Sequence, residues 1–530
     1  MPQIFILWCV LIVANLAIRP IMPIDETRYI SVAWEMWTRG DFLVPHLNGE
    51  TYSHKPPLLF WLMQLSWWIF GINDITPRLI SPLFALGTTL LSGHVARELW
   101  RDRPQISQIA PLILLGTSLW LLFSTLTMFD MLLAFFVLLA IFSVLKLSQT
   151  NSWHFVALLG FAIGGGVLSK GPAVLLHILP VALLAPWWLK NKTVTTCWRE
   201  WYLKLLAAVF IGASLALIWA IPAGISGGEE YRNAIFLGQT SGRLVESFAH
   251  KLPFWWYLEC LPLLLLPWLF FKPLWQGAKK LNLNDNGVRF CVAWALPVFI
   301  AFSLVSGKRI HYLLPLMPAF ALLLARAADK ISEIKTWQRA YSITLMIFGG
   351  IVLAANLFLM LNGKYHWIAN VNFTSRSGVF GLLIIAATLL SIYSPPAKSV
   401  QQIISYTSAA SIIVPLFLAS CYLENNAVRF DTKPVAEKIA QFQTQNQPVA
   451  FYTGKYHGQF QFTGRLTQPL TLLESRENLH TWAQEHKDGV ILLDSEKLPD
   501  NFLFYSHPYR AGELGFIETK TLIEHFAYIP

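Results

Sequence analysis

Thirteen apolar runs separated by polar loops constrain this chain more than any other feature. They cover residues 3–18, 76–97, 107–127, 129–147, 153–169, 171–189, 203–225, 254–272, 289–306, 311–328, 340–361, 377–394 and 401–423. A helix needs about 20 apolar residues to cross a hydrocarbon core about 30 Å thick. A series of such runs reads as an α-helical polytopic membrane protein. Charge agrees: only 13% of the 530 residues are charged, about half the share in an ordinary soluble domain. The first run has no basic start and no small-residue cleavage site, so it reads as the first span rather than a secretory signal. The net charge of +10 sits largely in loops between apolar runs. Membrane headgroups and lipid phosphates, not nucleic acid, are the partners that placement suggests. The five cysteines show no CxxC or CxxH spacing, which predicts neither a disulfide framework nor a thiolate metal site.

Orientation follows from lysine and arginine. One alternate set of loops, carrying Arg97, Arg101, Arg103, Lys190, Lys192, Arg326, Lys330 and Lys335 among others, is short and densely basic. The positive-inside rule makes that set cytoplasmic. The N-terminus is then cytoplasmic, and the 19–75 loop, the 226–253 loop and the tail after Glu424 lie outside. The first of these loops holds Trp34, Trp37, Trp61, Trp67 and Trp68. Its Tyr29–Trp37 and Leu58–Phe70 stretches read as helices in the outer interface, with a re-entrant course as the alternative for the second. In the tail, charges return and short runs alternate. Helices are expected over Thr432–Phe442 and Arg476–His486, strands over Val449–Thr453 and Val490–Asp494, and an extended stretch over Ile517–Tyr528. The domain division expected is thus 1–423, a membrane domain that includes the outer loop, and 424–530, a small extracytoplasmic α/β domain.

Ionised groups are expensive in hydrocarbon, so chemistry is sought where charges gather at a membrane edge. On this topology the outer edge collects Asp25, Glu26 and Arg28; His54 and Lys55; Asp130; Lys170; Arg232, Arg243 and Lys251; and Lys308, Arg309, His311 and Tyr312. Cations of this kind hold phosphate oxygens, and a carboxylate among them can orient an acceptor or take its proton. A phosphorylated amphiphile is the ligand such a set suits. Blander readings stand beside this one. Asp25 and Glu26 would also meet a helix dipole, Lys55 and Arg309 would also anchor in headgroups, and His94 and His177 read as packing residues. Asp130 is harder to explain away, because it stands between Leu126 and Leu132 with no basic neighbour in sequence.

At these residues the sequence resembles a known family. The segment PIDETRYISVAWEMWTRGDFLVPHLNGETYSHKPPLLFWL, followed in order by TMFDMLLAFF, LSKGPA, KLPFWWYL and SGKRIHYLLPLMPA, is similar to bacterial lipid A aminoarabinose transferases. These belong to the wider GT-C glycosyltransferase group, which includes dolichyl-phosphate-mannose-protein mannosyltransferases. The resemblance implies thirteen transmembrane helices, an outer C-terminal domain and a bacterial inner-membrane location. By position, Asp25 matches the first catalytic aspartate and Asp130 the second acidic position. Lys55 and Arg243 match residues that bind the carrier phosphate, Tyr312 is placed with them, and Tyr52 matches a residue lining the cavity. Arg28, Lys308 and Arg309 join the set by charge and place.

The resemblance also implies a polyprenyl-phosphate (undecaprenyl-phosphate) sugar donor, and lipid A or another envelope glycan or protein as acceptor. It departs in one respect. The family commonly has a zinc-binding glutamate where this chain has His54, and a histidine where it has Thr240 or a neighbour. His54 is a candidate ligand without an evident partner, so no cofactor is expected. The rival activities are protein O-glycosylation and, from another class, a flippase for lipid-linked substrates, although no repeat halves are visible.

Overall fold

The computed structural model describes residues 2–189, 197–236, 252–331, 333–365, 397–452, 455–495 and 498–528. The chain divides into two compact units. One comprises Met1–Ala17, His54–Leu59 and Arg78–Cys421; the other comprises Ile18–Ser53, Phe60–Pro77 and Tyr422–Pro530. This division differs from the expected boundary at 423/424, because most of the outer loop clusters with the C-terminal residues.

The first unit is helical. Among the described residues seven helices are long and apolar enough to cross a membrane, or eight if the bent pair Pro104–Leu115 and Ser118–Ser124 forms one span. Pro2–Ile18 and Ala173–Leu183 are shorter apolar helices of the same unit. Its outer surface is apolar, with Phe210, Ile218 and Leu304 exposed, while its interior holds serines and threonines. Many of those hydroxyls donate to the carbonyl one turn back, as in Thr88 to Phe84 O at 2.8 Å and Ser143 to Leu139 O at 2.7 Å. Phe129–Thr150 is the most buried of the candidate spans and Trp198–Ser226 the least.

Several runs expected to be continuous are broken. The 107–127 run bends by 66° where Thr117 turns extended. The 171–189 run divides into Ala173–Leu183 and Ala185–Trp188. The 254–272 run, carrying Pro262 and Pro267, forms only Trp256–Leu264 and a 3-10 turn at Trp268–Phe270. The 377–394 run lies outside the described residues.

The second unit is built on a five-stranded sheet of β3 (Val449–Tyr452), β4 (Thr471–Leu472), β5 (Val490–Asp494), β6 (Tyr505–Tyr509) and β7 (Gly512–Glu518), ordered β4-β3-β5-β7-β6. β4, β3 and β5 are parallel, and the β6–β7 hairpin joins antiparallel. Strand alternation feeds two cores. Val449, Phe451, Val490 and Leu492 pack with Ile439 and Phe442 of the Lys433–Thr444 helix. Ala450, Ile491 and Leu493 pack with Leu479 and Trp482 of the Arg476–Glu485 helix.

The extended stretch expected over 517–528 is corrected: β7 ends at Glu518 and a helix runs Thr519–Glu524. There Thr519 Oγ1 donates to His486 O and Lys487 O, both at 2.8 Å, and Leu522 is buried against the second core. The same unit contains the Asp25–Arg39 helix, a small antiparallel hairpin of β1 (His46–Leu47) and β2 (Glu50–Thr51), and most of the Leu58–Phe70 helix. Trp34, Trp67 and Phe462 form an aromatic cluster there, and Trp34 Nε1 donates to Leu466 O at 2.8 Å. Trp68 and Phe70 are exposed.

Candidate active site

In the helical unit, chemistry collects at the start of the Phe129–Thr150 helix. Ser81 and Met128 exchange two hydrogen bonds, 2.8 and 3.1 Å long, that pin this start to the Thr76–Leu99 helix. Asp130 follows in the first turn. Lys170, the last residue of the Trp153–Lys170 helix, donates from Nζ to Asp130 Oδ1 at 2.5 Å. The local sequence FAIGGGVLSKG makes that meeting possible. A Cβ on Gly160 would lie 2.6 Å from Ile211, and one on Gly165 would lie 2.3 Å from the Phe136 ring. Only glycine lets this helix press at once on the Trp198–Ser226 helix and on Asp130's own. Gly171, at φ +82°, then ends the helix directly after Lys170.

Asp130 is almost fully buried, and Lys170, His311 and Lys55 all act on its charge. Lys170 Nζ also stands 5.1 Å from the Tyr312 ring centroid, and Lys55 Nζ 5.9 Å from that of Phe129. The His311 ring lies 5.0 Å from Tyr312 and 5.6 Å from Phe123. Two ammonium groups thus accompany one carboxylate in an apolar setting. Lys170 supplies the direct partner that a buried carboxylate needs, and ammonium groups of this kind can hold an anion's oxygens.

In the other unit, the Asp25–Arg39 helix opens with two carboxylates of different fate. Glu26 is buried, ion-paired with Arg19, and accepts from Met22 N at 2.9 Å. Asp25 is ion-paired with Arg28, and its side chain remains 43% exposed. The Arg28 guanidinium lies 5.2 Å from the Tyr29 ring centroid. Burial, then the Asp25 and Tyr52 charges, push the Tyr29 phenol well above its ordinary range, so it is a neutral hydrogen-bonding group. Tyr52 is buried, with its ring 6.2 Å from Phe60. His457 lies within electrostatic reach of both Asp25 and Arg28.

The residues singled out in the sequence therefore fall into two sets, Lys55, Asp130 and Tyr312 in one unit and Asp25, Arg28 and Tyr52 in the other. Lys308 and Arg309, also candidates, belong to the helical unit. Lys308 is buried, and its ammonium donates to Leu252 O at 3.0 Å and Val305 O at 2.5 Å, so it clamps main chain. Arg309 is exposed, and its carbonyl accepts from the Tyr257 hydroxyl at 3.1 Å. Arg243 lies outside the described residues.

Comparison with known proteins places this architecture. Residues 3–226 match the family model described as dolichyl-phosphate-mannose-protein mannosyltransferase. An undecaprenyl phosphate-alpha-4-amino-4-deoxy-L-arabinose arabinosyl transferase of Serratia proteamaculans (strain 568) is 29% identical over 374 residues, 67% of this chain and 65% of that protein. A protein of the same name, numbered 2, from Pseudomonas fluorescens (strain Pf0-1) is 31% identical over 322 residues, 58% of this chain and 56% of that one. The crystal structure of ArnT from Cupriavidus metallidurans bound to undecaprenyl phosphate superposes with a TM-score of 0.77, covering 97% of this chain and 96% of that one at 17% identity. These matches support the resemblance to the aminoarabinose transferases of the GT-C group.

The comparison sharpens two points. The aligned region spans under two thirds of the first of these transferases, and the 17% likeness to ArnT establishes the fold. As for the family's zinc, His54 is exposed and the expected second position near Thr240 lies outside the described residues. Among the described residues no group of three or more His, Cys, Asp or Glu side chains gathers as a metal site. Sequence reasoning placed Lys170 and His311 in the outer-edge set without singling out either one, although the quoted LSKGPA block held Lys170 and His311 stands beside Tyr312. His457 carried no signal in sequence.

Proposed function

We propose that this chain transfers a sugar from an undecaprenyl-phosphate carrier to lipid A at the outer face of the bacterial inner membrane. The observation that carries the reading is the buried Asp130–Lys170 pair at the start of the Phe129–Thr150 helix, with Lys55 and His311 acting on the same carboxylate. The printed activities of the similar proteins support it, as does the shared polyprenyl-phosphate donor class of the matching family model. Lys55 and Arg243 hold the carrier phosphate, with Tyr312 against it. The bond from the anomeric carbon to the phosphate oxygen breaks, its electron pair leaves on the phosphate, and a bond to the acceptor oxygen forms. Cations at the phosphate stabilise that developing charge. Asp25, held by Arg28, orients the acceptor. It takes the proton if the acceptor is a hydroxyl; a phosphate acceptor brings none. In this reading the N-terminus is cytoplasmic and residues 424–530 are periplasmic, which the placement of the basic loops supports.

The test is the purified full chain in liposomes with undecaprenyl phosphate-linked aminoarabinose and lipid A, read by mass spectrometry. Lipid A heavier by one aminoarabinose is expected. Unmodified lipid A, or label on a peptide acceptor instead, would overturn the reading. Cysteine accessibility at positions 25 and 455 tests orientation; both should react from the periplasmic side.

A further inference from the structure

The Asp25–Arg39 helix does not stand alone in its unit. The stretch from Lys455 to Leu470 is laid over it and the β1–β2 hairpin, and the attachments are specific. Phe462 N donates to Ser31 Oγ at 3.2 Å, and Leu466 O accepts from Trp34 Nε1 at 2.8 Å. Asn48 Oδ1 accepts from Gln461 Nε2 at 2.9 Å and from Leu470 N at 2.8 Å. Gly458 adopts φ +72°, and a Cβ there would lie 2.4 Å from Leu47 Cδ1, so the loop approaches the hairpin as only glycine can. On the other side Tyr456 donates from its hydroxyl to Gln461 Oε1 at 2.7 Å. His457 sits between these two fixed residues, and its own N–H donates to Gln459 Oε1 at 2.9 Å.

A loop held this firmly sets where the His457 ring is. The ring is half-buried and, among the described residues, makes no hydrogen bond. The charged groups acting on it are Arg28, Lys455, Asp25 and Arg510. Burial first, then the cations, push the imidazole below its ordinary range against the opposing pull of Asp25, so at neutral pH it is uncharged with one N–H to offer. Such a donor serves a hydroxyl or a phosphate oxygen alike. We propose that His457 is an acceptor-binding residue, which the loop docked on the Asp25–Arg39 helix and the β1–β2 hairpin supplies and which donates a hydrogen bond to the acceptor oxygen. This rests on the transferase reading and gives the C-terminal domain a part in it.

The experiment uses the full chain in liposomes, with undecaprenyl phosphate-linked aminoarabinose as donor and lipid A as acceptor. His457→Ala should raise the KM for lipid A about tenfold, the effect of one lost hydrogen bond, and leave the donor KM within about twofold. His457→Asn, which keeps an N–H donor, should recover most of the loss. An unchanged lipid A KM in His457→Ala, an equal rise in both KM values, or a His457→Asn variant no better than alanine would each overturn the assignment. Lipid A binding without donor is measured on the same variants. A wild-type chain that binds lipid A but transfers nothing sinks the transferase reading alone, whereas equal lipid A affinity in wild type and His457→Ala sinks the His457 assignment alone.

Discussion

Asp130 and Asp25 both stand in the first turn of a helix, where a negative charge meets the positive end of the dipole. There the likeness stops. The Asp130 side chain is 3% exposed, and its partner Lys170 comes from another helix 40 residues on. The Asp25 side chain is 43% exposed, and its partner Arg28 is three residues on along the same helix. A charge of the first kind is part of the architecture, since the fold must compensate it to exist. A charge of the second kind can be altered with little disturbance of packing, and it is open to solvent. The contrast teaches a division: Asp130 belongs to a buried pair between helices, whereas Asp25 sits in an exposed local pair, as its proposed meeting with the acceptor requires.

The sharpest way to break that division is Asp25→Asn. A group that orients or deprotonates the acceptor contributes about 10²–10⁴-fold. Loss of kcat in that range is expected, with the melting temperature in detergent unchanged. A variant that unfolds early instead would make Asp25 an architectural charge like Asp130.

Next is Lys170→Ala, which strands the Asp130 carboxylate in an apolar setting. Removing one partner of a buried pair costs about 3–5 kcal/mol, and thermal unfolding should show it. The double variant Asp130→Asn, Lys170→Met should regain most of that stability and none of the activity. If Lys170→Ala melts like wild type, the pair does not hold the helices together.

How much of this was legible follows from the range of each signal. Long apolar runs announced the spans, because crossing hydrocarbon demands length and composition that sequence displays directly. Breaks within runs were less legible. Pro262 and Pro267 were visible breakers, yet the extended backbone at Thr117 that bends the 107–127 run had no local mark beyond Gly116. The β6–β7 hairpin was missed because Pro508 argues against a strand, whereas β6 lies at the sheet edge, where proline is tolerated. Asp130 stood out by isolation, but its pairing with Lys170 depends on how two helices pack. His457 and Asp25 are 432 positions apart, and no periodicity links such distant positions.

A smaller effect tests the packing that brings Lys170 to Asp130. A leucine at Gly160 would have to displace Ile211, whose side chain lies within 2.6 Å of the new Cβ. Overpacking of this kind costs about 1–3 kcal/mol. Reduced melting temperature and reduced activity should fall together here, unlike in Asp25→Asn, because the seam acts on the site only through position. Activity unchanged in Gly160→Leu would mean that the close approach is dispensable.

The smallest expected stability change is the most discriminating, because it compares neighbours. Asp25 and Glu26 are adjacent in sequence, and each holds an arginine. Arg19 and Glu26 are 8% and 3% exposed, while Arg28 and Asp25 are 22% and 43% exposed. Solvent screens the second pair, and exposed pairs contribute about 0.2–1 kcal/mol at most. Arg28→Ala should therefore shift the melting temperature barely at all, while Arg19→Ala, which leaves Glu26 buried without its cation, should lower it clearly. Activity should run the other way. Arg28→Ala frees the exposed carboxylate to swing and should lower kcat even where the fold is intact. Equal melting shifts in the two variants would show that Asp25 is as embedded as its neighbour, and the case for its reaching the acceptor would fail.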